Sequence, residues 1–119
     1  MQELFISLSE RENLNRFPSD IPEDDLISFF TLSAIDKGLV LNRRGDHNRL
    51  GFAVQLCTLR YLGYCPDDLI HIPQTVTAYL AKQLAIKAPV ALMLQYGQRE
   101  HTRTDHLQEI VSFVGYVIG

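Results

Sequence analysis

The sequence is poor in cysteine, in long apolar runs and in alternating strand patterns, and each shortage removes a class of protein. Two cysteines among 119 residues, Cys57 and Cys65, cannot build a disulfide-stapled scaffold. No apolar run approaches the length that crosses a bilayer. The start, Met1-Gln2-Glu3-Leu4-Phe5, lacks the basic and then apolar pattern of an export signal, so the expected location is the cytoplasm. No run of β-branched residues alternates with polar ones, so no sheet is expected. Hydrophobic residues at 46% and charged residues at 21% suffice for one core and exclude a disordered chain.

Catalytic and metal motifs are missing as well. There is no G-x-S-x-G, no P-loop and no G-x-G-x-x-G, which removes support for a nucleophilic hydrolase or a nucleotide enzyme. Cys57 and Cys65, and likewise His101 and His106, are too far apart for C-x2-C or H-x3-H spacing, so no metal or other cofactor is expected. Glu23, Asp24 and Asp25 are consecutive and point three ways on a helix, which suits a helix dipole better than an ion. Cys57 reads as a small core residue, and the tyrosines as core before base-stacking platforms.

What is present is a helical period, punctuated by Gly and Pro. The pattern predicts about seven short helices in one all-α domain over residues 1–119. The first is expected around residues 8–16, behind the Ser7-x-x-Glu10 capping box. Others are expected at 22–31, from the Ser33 cap to about Asn42, from Pro73 to Leu84, from Pro89 to a stop at Gly97, and from Thr104 to Val114 with a stop at Gly115. At about 48–62 lies a helix that is apolar almost all round and closes at Gly63, as the centre of a bundle would. With the helix before it, it forms a corner of helix-turn-helix type.

The net charge of −3 hides an asymmetry. Residues 1–36 hold eight acids against Arg11 and Arg16, whereas residues 37–119 hold nine bases against six acids. Any anion-binding face therefore belongs after residue 36. Arg43, Arg44, Asn48 and Arg49 cluster before the central helix, where unpaired backbone N–H groups and planar guanidinium donors suit phosphate oxygens. Arg60 extends this patch if it faces the same way. Arg99 and Arg103 form a second basic cluster at a helix start, with Thr102 or Thr104 as candidate caps. The competing reading is structural: Asp36 and Asp46 neutralise two of the arginines, Asp46 caps a helix, and the rest are solvated.

The stretch Arg43-Arg44-Gly45-Asp46-His47-Asn48-Arg49-Leu50-Gly51-Phe52-Ala53-Val54-Gln55-Leu56-Cys57-Thr58-Leu59-Arg60-Tyr61-Leu62-Gly63 resembles a signature of the N-terminal domain of class II replicative transposases, the Tn-three family. Its companions follow in order: Phe30-Thr31-Leu32-Ser33 with Asp36, Pro66, Pro73, Ala81-Lys82-Gln83-Leu84, Tyr96-Gly97-x-Arg99, Thr102-Arg103 with His106, and Gly115-Tyr116. Gly38 within the third helix and Cys65 before Pro66 depart from the pattern locally.

The resemblance implies a part of a large bacterial enzyme whose N-terminal region binds the terminal inverted repeats of a transposon. In that family a distant domain with an acidic triad and two Mg²⁺ ions cuts and joins DNA. None of its catalytic residues maps onto this chain, so no catalytic activity is expected here. The implied partner is double-stranded DNA at transposon ends. The alternative is a protein-interaction role, with a second copy or other transposase domains as partners, which the acidic first 36 residues favour. If Arg43, Arg44, Arg49, Arg99 and Arg103 each met a phosphate, log affinity would fall against log salt with a slope of roughly −4 to −5.

Overall fold

The computed structural model describes residues 21–65 and 72–118. The expected helix at 8–16 lies outside the described residues, as do Pro66 and the two acids of the connector at 66–71. Six helices make up the described part: α1 (Glu23–Phe30), α2 (Ala34–Leu41), α3 (Asp46–Leu62), α4 (Gln74–Gln83), α5 (Pro89–Gly97) and α6 (Glu100–Ile118). No strand occurs among the described residues, so the all-α expectation holds.

Local chemistry accounts for several of the boundaries. Pro22 precedes α1, and Glu23, Asp24 and Asp25 fill its first turn, where the positive end of the helix dipole favours them. Ser33 and Asp36 form a reciprocal capping box on α2, with both hydrogen bonds at 3.1 Å. Gly63 closes α3 in the left-handed conformation, at φ 82°, and donates its N–H to the Leu59 carbonyl.

Three expected boundaries move. The central helix begins at Asp46 rather than 48, because Gly45 serves as its N-cap at φ 82°. The last helix begins at Glu100, so Thr102 and Thr104 lie inside it and are not its caps. It also runs through Gly115 to Ile118, since a glycine inside a helix weakens it without forcing a stop. With 17 residues in α3 and 19 in α6, these two are not short.

α3 is the axis of the domain and packs on all five other described helices. Every residue from Leu50 to Thr58 is buried, including Phe52, Val54 and Leu56. Around it lie Phe30, Val40, Val76, Leu80, Met93, Tyr96 and Ile110, one from each neighbour or two. α1 is tied to α4 by Gln83, whose side chain accepts from Leu32 N–H and donates to the Phe30 carbonyl, both at 2.8 Å. Those bonds satisfy backbone groups that the end of α1 leaves open.

One group in this core is not satisfied. Thr58 is fully buried and its hydroxyl oxygen finds no hydrogen-bond partner among the described residues. Valine has the same shape without the hydroxyl, so Thr58→Val is expected to stabilise the domain by about 1 kcal/mol. A higher urea midpoint with an unchanged m-value is the expected reading.

The arginine loop as a candidate nucleic-acid interface

The connection between α2 and α3 is residues 42–45, and side chains from three places hold its backbone. Arg49, in the first turn of α3, turns back and donates from Nε to the Arg43 carbonyl at 2.9 Å and from Nη2 to the Leu41 carbonyl at 3.2 Å. A cation at the end of α2 suits the negative pole of its dipole. Asn48 donates from Nδ2 to the Arg44 carbonyl at 2.8 Å. Arg43 reaches α6 and makes a two-pronged pair with Glu109, at 2.9 and 2.7 Å, while its Nε donates to the Leu39 carbonyl. The guanidinium also lies 4.7 Å over the Phe52 ring.

The cluster read from the sequence thus divides into scaffold and surface. Arg43, Asn48 and Arg49 shape the loop. Arg60 is also engaged: it forms a two-pronged pair with Asp36 at 2.8 and 3.0 Å, and Asp36 is only 3% exposed. Burial pushes the Asp36 carboxyl up, but Arg60 and the Ser33 hydrogen bonds outweigh it and hold it below the usual 3.8. Asp36 therefore neutralises an arginine, as the structural reading expected. The other neutraliser is Glu109 rather than Asp46, which starts α3 without a side-chain cap bond.

Arg44 is different. It is exposed at the tip of the held loop, and no described residue pairs with its guanidinium. Beside it the first turn of α3 has no side-chain cap, so its N–H groups have no side-chain acceptor from Gly45. The His47 Nε2 and Asn48 Oδ1 atoms nearby are buried and find no partner among the described residues.

The second cluster sits at the start of α6. Arg99 is exposed immediately before Glu100, and its carbonyl accepts from Arg103 N–H at 3.0 Å. Arg103 is half-buried, with its own carbonyl accepting from Gln55 at 3.1 Å.

Sequence reasoning missed the polar cluster inside the core. Gln55 interrupts an apolar helix, and its Nε2 donates to the Tyr96 hydroxyl at 2.7 Å. Tyr96 in turn meets His106 Nδ1 at 2.8 Å. A lone amide between Val54 and Leu56 was the available signal, since a buried polar group needs partners. Cys57 behaves as read: burial pushes its thiol up to about 12, which leaves it unreactive.

A family model described as a domain of unknown function, DUF4158, matches residues 5–117. The transposase for transposon Tn501 of Pseudomonas aeruginosa is 41% identical over 111 residues, which cover 93% of this chain and 11% of that protein. The transposase for transposon Tn1546 of Enterococcus faecium is 46% identical over 99 residues, 82% of this chain and 10% of that protein. The transposase for transposon gamma-delta of Escherichia coli (strain K12) is 33% identical over 112 residues, 94% of this chain and 11% of that protein. The chain thus spans about a tenth of the length of these relatives.

Proposed function

Because the chain belongs to the DUF4158 family and to the N-terminal region of Tn3-family transposases, we propose that it is a non-catalytic DNA-binding module that helps hold transposon terminal inverted repeats. It would act in the bacterial cytoplasm, where the element's DNA lies. The observation that carries this reading is the exposed Arg44 on a loop pinned by Arg43, Asn48 and Arg49. A cation on a held backbone loses little entropy when it meets a phosphate, and the open first turn of α3 adds N–H donors beside it.

The same geometry limits how DNA is held. α3 is buried from Leu50 to Thr58 and cannot lie in a groove. Contacts from Arg44 and Arg99 would go to the phosphate backbone, which positions a protein without reading bases. Sequence choice then rests with other parts of the transposase.

Salt dependence separates this arrangement from the simpler count of five arginines. Arg43 and Arg49 are committed to Glu109 and to backbone carbonyls and Arg103 is half-buried, which leaves Arg44 and Arg99 as the exposed pair of the five. Fluorescence anisotropy of the 119-residue chain on a duplex end is expected to give a log–log salt slope of roughly −2 rather than −4 to −5. Absence of duplex binding even at low salt would remove the reading.

A second reading has its own observation. Val90 and Leu94, one turn apart on α5, are 50% and 52% exposed. That apolar strip suits a contact with another transposase domain or a second copy. Light scattering of the free chain tests the second copy directly, since a dimer gives twice the monomer mass.

A further inference from the structure

The polar cluster at the meeting of α3, α5 and α6 has a defined direction of donation. Gln55 donates an N–H to the Tyr96 oxygen, so the tyrosine's own hydrogen is available for His106 Nδ1, 2.8 Å away. That pairing needs a neutral imidazole with Nδ1 bare and its hydrogen on Nε2. The ring is 7% exposed, stacks on Tyr96 at 5.7 Å between centroids and stands edge-on to Phe52 at 5.2 Å.

The charges around it offer the imidazolium little help. The α2–α3 loop presents the Arg43 cation. On α6 itself stand the Glu109 and Asp105 carboxylates, and both oxygens of Glu109 already receive Arg43. α5 contributes Tyr96, and α3 contributes Phe52 and Gln55. Burial first, and then Arg43, hold His106 below its ordinary 6.5, with Glu109 and Asp105 opposing them.

We infer that His106 is a proton-operated latch: neutral, it accepts the Tyr96 hydroxyl and seats α6 on α3 and α5, and on protonation it releases α6 from that seat. The added proton places an N–H where the hydroxyl hydrogen pointed. The Tyr96 oxygen can turn and accept from both Gln55 and His106, but its own hydrogen then loses its acceptor in a buried site. A new cation also appears close to Arg43. Because α6 carries Glu109, which tethers Arg43, and starts beside Arg99, its release loosens both basic clusters together. The latch is a property of the fold and stands whether or not the module binds DNA.

The sign follows from linkage. His106 takes up its proton more readily in the unfolded or released state, so the stability of the seat is fully present above pH 6.5 and is lost as pH falls from there toward the folded value. In that window the seating equilibrium weakens by up to about tenfold per pH unit.

Hydrogen exchange of the 119-residue chain, corrected for intrinsic rates and compared at about pH 7.5 and about pH 5, tests this. Protection of α6 amides should fall relative to α4 amides in the wild type. His106→Gln keeps an acceptor for Tyr96 and takes no proton, so its α6 protection should not change. Equal protection of α6 at both pH values in the wild type, or the same fall in His106→Gln, overturns the latch. If His106→Gln does not fold, Tyr96→Phe serves, because it keeps the ring and removes the hydroxyl. Its pH dependence should shrink, because protonation no longer costs the hydroxyl its acceptor, whereas an undiminished dependence overturns the proposal.

Discussion

Gly51→Ala is expected to destabilise the domain by about 3 kcal/mol, although alanine is the better helix former. A Cβ placed at Gly51 falls 2.3 Å from carbons of the Tyr96 ring. That ring is fully buried, and its hydroxyl is held by Gln55 and His106, so it cannot swing aside without breaking the core hydrogen bonds. Helix propensity favours alanine by about 1 kcal/mol, and overpacking of this kind costs several times that. Gly38 is the control. It lies in α2, where an added Cβ would meet nothing within 4 Å, so Gly38→Ala is expected to stabilise by about 0.5–1 kcal/mol. Urea unfolding of the two variants should move in opposite directions. Destabilisation in both would mean that Tyr96 is not the obstacle.

Arg60→Ala is expected to cost about 3 kcal/mol at neutral pH. The arginine side chain is 28% exposed and its Asp36 partner 4%, so its removal leaves a carboxylate buried without its cation. The loss includes packing, because the guanidinium lies 5.7 Å from the Phe113 ring. Acid gives a second check. In the wild type Asp36 is held below 3.8, so its contribution is present above that value and disappears as pH falls through the folded value. The gap between Arg60→Ala and the wild type should therefore narrow below about pH 3.8, where Asp36 gains its proton and no longer needs the guanidinium. A gap that stays constant through that range would point to lost packing alone.

Much of the fold was legible because its signals are local. Ser33 with Asp36, Pro22 ahead of three acids, and Gly63 after an apolar run each mark an end by chemistry within four residues. The largely apolar character of 50–58 was enough to place α3 at the centre. Boundaries set by backbone conformation were harder, as at Gly45, where a glycine cap at positive φ starts α3 two residues early. Asp36 was legible as a neutraliser, but which arginine it meets, and that Glu109 meets Arg43, was not. Arg43 and Glu109 are 66 residues apart, and Arg60 and Asp36 are 24 apart. Composition placed Arg43, Arg44 and Arg49 in one basic run, but only tertiary contacts separate the two that hold the loop from the one that faces solvent. The Gln55–Tyr96–His106 cluster has the same character, since its members become neighbours only when α5 and α6 close on α3.

The division of that run into scaffold and surface is the central claim, and one paired measurement tests it. Affinity for a duplex carrying a transposon terminal repeat, and the urea midpoint, are measured together for Arg44→Ala and Arg43→Ala. Arg44→Ala should keep the wild-type midpoint, lose affinity and reduce the salt slope by about 1, while Arg43→Ala should lower the midpoint by breaking the bond to Glu109. Unchanged DNA binding in Arg44→Ala, or unfolding of that variant, would contradict the account.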